Sequence, residues 1–279
     1  MIDVDFKRRF GGVSRLYGAV GLAKLQAAHV VVVGIGGVGS WAAEALARNA
    51  VGTITLVDLD NIAESNVNRQ IHALDGAFGK AKVTAMRERI LQINPNCVVR
   101  EIEDFVTLDN ASKMLDFQPE IMSHVMIDCT DDVKAKIALV QSCKATLTPL
   151  IMSGSAGGRL DPTKIKVADL SVVTGDKLLA KVRNLLRRDY DFPKASNAKK
   201  SAKFGIACVY SDEQAISPIK NTLQEDALQA NIGAGVLVED KKSNHSISGL
   251  NCAGYGSSVC VTAPFGFTAA QLAINQIIA

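Results

Sequence analysis

A run of glycines followed by spaced carboxylate, amide and cationic side chains is the part of this sequence best suited to chemistry. Gly34-Ile35-Gly36-Gly37-Val38-Gly39 leaves backbone amides uncovered, so a phosphate or ribose can approach them at a helix N-terminus. Asp58 follows at the end of the next predicted strand, where a carboxylate can accept hydrogen bonds from ribose hydroxyls. Asn66, Arg69 and Lys82 come next, and an arginine fork with a lysine point charge offsets negative charge developing on a phosphate. Asp131, in Asp128-Cys129-Thr130-Asp131, is a carboxylate of the kind that holds magnesium against phosphates. Capping the helix that follows is the other role open to it. On the glycines and Asp58 alone, a NAD-dependent oxidoreductase fits as well as an ATP-using enzyme. The cations tip the balance, because a nicotinamide needs room and a polyphosphate needs charge.

These residues must be held by an alternating framework. The apolar run 29–33 leading into glycines reads as a buried parallel strand, and 38–49 as the helix after it. Strands at 53–57, 97–102, 124–129 and 150–153 alternate with helices at 79–93, 108–117 and 131–145, the second helix stopped by Asn94-Pro95. Repeated units of this size predict an α/β, Rossmann-like, mostly parallel sheet with helices on both faces. Beyond residue 158 the pattern loosens into an irregular α+β half with strands near 165–169 and 204–211, and 214–246 shows no clear period. The expected organisation is one domain over 1–279. An N-terminal arm (1–28) precedes a nucleotide-binding half (29–165) and a substrate half (166–279) carrying a basic segment at 177–203.

The order GxGGxG, DxDxxxxSNxxRQ, a lysine and DCxD across residues 34–131 resembles the E1-like adenylylating family, which includes the activators of sulfur-carrier proteins. That resemblance implies ATP and magnesium as cofactors. Asp58 would hold the ribose, with Asp60 in the same motif, while Asn66, Arg69 and Lys82 would hold phosphates and Asp131 the magnesium ion. It also implies a homodimer in which an arm arginine enters the neighbouring subunit's site; Arg9 is the best match and Arg15 a competitor. Many sulfur-carrier activators hold zinc through two CxxC pairs; no CxxC occurs here, so no zinc is expected. A structural monovalent cation and a sulfur-relay protein partner remain candidates. Further segments, Arg15-Leu16-Tyr17-Gly18, Asn68-Arg69-Gln70-Ile71-His72, Gly154-Ser155-Ala156-Gly157-Gly158 and Thr262-Ala263-Pro264-Phe265-Gly266-Phe267, are similar to a branch of the family that acts on tRNA. Its implied reaction adenylylates the threonyl carboxylate of a modified adenosine and closes a ring with release of AMP. Activation of a sulfur carrier's C-terminal glycine and an RNA-binding scaffold without activity are the competing readings.

The net charge of +3 does not itself imply nucleic-acid binding. A local cluster does: Lys177, Lys181, Arg183, Arg187, Arg188, Lys194, Lys199, Lys200 and Lys203 could meet an RNA backbone, or form a solvated helix face and loop. Six cysteines without disulfide-like spacing suit a reducing, cytoplasmic setting. Cys208 and Cys252 are weighed as relay thiols against the commoner outcome of burial. Residues 250–279 carry no charged side chain, yet Asn251, Ser257, Ser258, Pro264, Gln271 and Asn275 predict a buried helix and not a membrane span.

Overall fold

The computed structural model describes residues 5–115, 123–194, 202–216 and 255–279. Lys199, Lys200, Cys252 and nearly all of 214–246 lie outside the described residues.

The valine run forms β1 (His29–Val33) and the Thr-Ile-Thr-Leu-Val run forms β2 (Thr53–Val57), both buried throughout. Four consecutive valines suit a strand covered on both faces, and β2 buries Thr53 and Thr55 along with its apolar residues. With β3 (Val98–Ile102), β4 (His124–Asp128), β5 (Leu150–Ser153), β6 (Ile165–Asp169) and β7 (Ala207–Ser211) they make one sheet in the order β3-β2-β1-β4-β5-β7-β6. Every neighbouring pair is parallel except β6 with β7. The strands placed in the irregular half therefore extend the same sheet.

Packed on one face are α2 (Gly39–Arg48), α3 (Lys82–Ile93), the C-terminal helix α6 (Val259–Ile278) and part of α1 (Phe6–Ala27), around Leu25, Leu46, Met86 and Phe265. The other face carries a 3-10 turn (Ala111–Leu115), α4 (Val133–Thr146) and α5 (Lys177–Asp189), around Met126, Leu139, Leu179 and Leu186. The N-terminal arm is thus a helix, kinked at Gly18. Strand order reverses direction between β1 and β4, and in open parallel sheets the crevice at the carboxyl edge of that point is where ligands bind.

Several boundaries move from the sequence expectation. The second long helix starts at Lys82 and not at 79, because residues 79–81 turn and Ala81 bridges to Asn61. The helix after β4 starts at Val133: Asp132 caps it by accepting from the amides of Lys134 (3.2 Å) and Ala135 (3.1 Å). Asp131 is therefore not the cap. From Val259 onward the uncharged C-terminal stretch forms α6, whose Val261, Phe265, Ala269 and Ile274 are buried against the sheet face. Among the described residues no helix is long and apolar enough to cross a membrane.

Candidate active site

The glycine loop lies between β1 and α2, at the carboxyl edge of the switch point. Gly34 has φ of +83°, and a β-carbon there would sit 3.0 Å from the Cys129 carbonyl. At Gly39 a β-carbon would fall 1.9 Å from the Gly34 oxygen, so Gly39 excludes a side chain on contact alone and Gly34 does so through its left-handed backbone together with a tight contact. Asp58 closes the loop from the next strand. Its Oδ2 accepts from the Ile35 amide at 2.6 Å and its Oδ1 from the Asp60 amide at 2.9 Å. Burial pushes the Asp58 carboxyl up from its ordinary range, against the opposing pull of Lys82 and these amides.

Lys82, the first residue of α3, is 6% exposed. Its Nζ lies 2.7 Å from Asp60 Oδ2 and 3.6 Å from Asp58 Oδ1. Because the Asp60 side chain is 61% exposed, the ammonium is held at the mouth of the crevice. Asn66 ends a 3-10 turn (Glu64–Asn66), is buried, and accepts from the Ala63 amide at 3.2 Å. Arg69 crosses the loop: a β-carbon on Gly37 would meet its Cγ at 3.1 Å. Its guanidinium donates to the Ser65 carbonyl (2.7 Å) and Asn68 Oδ1 (2.9 Å), and its own carbonyl accepts from Trp41 Nε1 (2.9 Å). The glycines, Asp58, Asp60, Asn66, Arg69 and Lys82 thus form one contiguous surface. Asp131 lies at the same edge, in the turn after β4.

That turn is built on a residue which motif reading passed over. Lys136 has no exposed surface, donates to Asp128 Oδ2 at 3.1 Å and to the Ser153 carbonyl at 2.8 Å, and so ties β4 to β5. The Thr130 amide (3.0 Å) and hydroxyl (2.7 Å) bind the other Asp128 oxygen. A lysine on the apolar face of a helix rich in Ala, Ile, Leu and Val was the available signal. Thr262, read in the sequence only within a family-like segment, is brought behind the loop by α6, with its Cγ2 3.4 Å from where a Gly37 β-carbon would be. No group of three or more His, Cys, Asp or Glu able to hold a metal occurs among the described residues. A lone carboxylate suits magnesium held mostly by phosphates and water.

Other expected residues stand apart. Arg9 donates to the Gln92 (3.3 Å) and Ile93 (2.7 Å) carbonyls at the C-terminal end of α3, roughly 16 Å along that helix from Lys82. The Arg15 guanidinium folds back toward Gly11 of its own helix. On α5, Arg183 donates to the Val173 carbonyl, Arg187 to the Pro193 (3.1 Å) and Ser171 (3.2 Å) carbonyls, and Arg188 pairs with Asp189. Lys177 and Lys181 are exposed one turn apart and make no ion pair among the described residues, while Leu178, Leu179, Val182 and Leu186 face inward. Cys208 is fully buried and burial pushes its thiol far up, the reverse of what a relay thiolate needs.

Residues 9–203 match the ThiF family. The chain is 42% identical over 280 aligned residues, covering 100% of it and 97% of the relative, to the tRNA threonylcarbamoyladenosine dehydratase of Escherichia coli strain K12. It is 41% identical, with 98% and 95% covered, to the enzyme of that name from Haemophilus influenzae. The structure of the E. coli enzyme in complex with ATP superposes with a TM-score of 0.79 at 39% identity, covering 99% of this chain and 96% of that one.

Proposed function

The chain belongs to the ThiF family, and from that premise we propose that it catalyses the ATP-dependent, cyclising dehydration of threonylcarbamoyladenosine in tRNA. One observation carries the reading: end-to-end similarity to a dehydratase of that specificity, whose own structure holds ATP.

Residues 29–165 form the nucleotide half in this reading and 166–279 the acceptor half. The loop amides and Asp58 hold the adenosine side of ATP; Asn66, Arg69 and Lys82 hold its phosphates. An oxygen of the threonyl carboxylate attacks the α-phosphorus, and the bond to pyrophosphate breaks. The carbamoyl nitrogen or oxygen then attacks the activated acyl carbon, a proton leaves a carbamoyl N–H in either case, and AMP departs bearing the former carboxylate oxygen. The elements of water leave in this divided form. Both reacting groups belong to one nucleoside, so ring closure gains a large effective concentration and needs no enzyme-bound intermediate. Lys82 and Arg69 answer the charge that grows on the phosphates during the first step. Magnesium bound through Asp131 would add charge neutralisation there.

The functional unit in this reading is a homodimer. Arg9 supports it, since the far end of α3 leaves that side chain no part in its own protomer's crevice; sedimentation as a monomer under turnover conditions would remove it. A structural monovalent cation and a relay partner are additions to the same scheme, tested by potassium or sodium dependence and by co-purification.

The decisive experiment incubates the purified protein with ATP, magnesium and tRNA bearing the linear modification, then digests the RNA and weighs the nucleosides. Loss of 18 mass units, about one water, with matching AMP is expected. Pyrophosphate exchange that needs a small carrier protein and ignores tRNA would transfer the site to sulfur-carrier activation. Tight NADH binding with none for ATP would dismiss adenylylation altogether.

A further inference from the structure

A buried guanidinium with no counter-charge among the described residues lies at the acceptor end of the sheet's carboxyl edge. Arg159 follows the Gly157-Gly158 turn after β5 and is 3% exposed. Its Nη2 donates to the Gly175 carbonyl at 3.2 Å, while Nε and Nη1 are buried and make no hydrogen bond among the described residues. It has no ion pair among the described residues. The carboxylates of the neighbouring turns are committed elsewhere. Asp176 caps α5 at the Leu179 amide (2.9 Å) and accepts from the Ser155 amide (2.8 Å). Glu213 accepts from the Leu160 and Asp161 amides, both at 3.1 Å, and Asp212 pairs with Lys166. A cation taken out of water with most of its donors unmet is costly unless an anion joins it.

The position says which anion. β5 and β7 leave the sheet at the same edge as β1, β2 and β4, and Lys136 joins the exits of β4 and β5. The turn before Arg159 is also strapped to the nucleotide side. The Gly158 amide donates to the Gly256 carbonyl at 2.8 Å, and Asn68, next to Arg69, donates to the Ser257 carbonyl at 2.7 Å. Arg159 is thus joined, through one short segment, to the residues expected to hold ATP.

We infer that Arg159 is the acceptor-side oxyanion ligand of this site, its open N–H donors taking an oxyanion carried by the RNA. That oxyanion is the threonyl carboxylate about to be activated or a backbone phosphate beside the modified nucleoside. The planar, permanently charged fork suits either. This assignment rests on the proposed dehydratase reading and adds a specific ligand to it; lysines on the α5 surface are a separate matter.

Arg159→Gln and Arg159→Lys test it beside the wild type, with ATP affinity by calorimetry and affinity for tRNA with and without the threonylcarbamoyl group at several salt concentrations. ATP affinity is expected to hold in both variants, and RNA affinity to fall roughly tenfold or more in the Gln variant and less in the Lys variant. A loss confined to modified tRNA assigns the carboxylate. An equal loss on both RNAs, with the salt slope lowered by about one, assigns a phosphate. If the Gln variant misfolds and loses ATP, the Lys variant carries the comparison, since it keeps charge and loses the fork. Wild-type affinity and KM on both RNAs, with ATP binding intact, overturns the inference and leaves Arg159 a packing residue. A wild-type protein that binds ATP but neither binds nor converts tRNA overturns the dehydratase reading, and this inference falls with it.

Discussion

At the scale of single residues, the crevice is organised by who holds the Lys82 ammonium. Lys82 sits between a mostly buried carboxylate, Asp58, and an exposed one, Asp60. In the proposed reaction a phosphate arriving at the mouth would compete with Asp60 for Lys82 and leave the Asp58 side of the arrangement in place. Lys82→Ala should therefore cut dehydration by roughly 100-fold or more, in line with loss of one transition-state donor, while leaving tRNA affinity nearly unchanged. Single-turnover kinetics with filter binding measures both, and wild-type turnover would remove Lys82 from the chemistry. That the glycines, Asp58, Asn66, Arg69 and Lys82 would gather at one edge was legible in the sequence, because such types at such spacing suit a polyphosphate. Lys136 and Arg159 were not, since a lone cation reads as surface until its burial is known.

Among elements, agreement with the sequence was closest where local patterning and tertiary burial coincide. β1 and β2 kept their expected limits because their β-branched, mostly apolar residues are satisfied in strands buried between two helix layers. Helix starts shifted where cap chemistry decides: two adjacent aspartates precede α4, and only the geometry shows that Asp132 takes the amides. β6 and β7 were found, but their joining of the sheet depends on non-local pairing that no local pattern reveals. The contact of α6 with α2 was equally hidden. A β-carbon on Gly266 would come 2.4 Å from the Val38 carbonyl oxygen and 2.8 Å from the Ala42 nitrogen, both backbone atoms. Gly266→Ala must then push α6 off the first turn of α2, destabilising by about 1–3 kcal/mol. Because that turn ends the glycine loop, ATP affinity should drop together with the melting temperature. Thermal shift with and without ATP checks the pair, and an unchanged ligand-induced shift would show the loop indifferent to α6.

For the molecule as a whole, two buried histidines set an acid limit. Burial first, then Arg100 and His124, lowers His29 to about 4; burial first, then Lys82 and Arg89, lowers His72 to about 4. Both stay neutral in the fold but take up protons near pH 6.5 once unfolded. Their stability contribution is complete above that value and drains away as pH falls from 6.5 toward 4, by about 3 kcal/mol each at most. The raised Asp58 carboxyl works in the opposite sense, easing the loss at the acid end. Melting temperatures across pH 7 to 4 should fall steadily, and His72→Gln should flatten the curve; a level wild-type profile would contradict the buried neutral imidazoles. The meeting of Gly266 with Val38 and of Thr262 with Gly37 carries one more consequence, for the order of folding. Contacts between such distant positions close a very long loop and so form late, after local βα units have their shape. Nucleotide affinity should accordingly arrive as one of the final events of refolding, making ATP a reporter of a finished chain and a poor helper for an unfinished one.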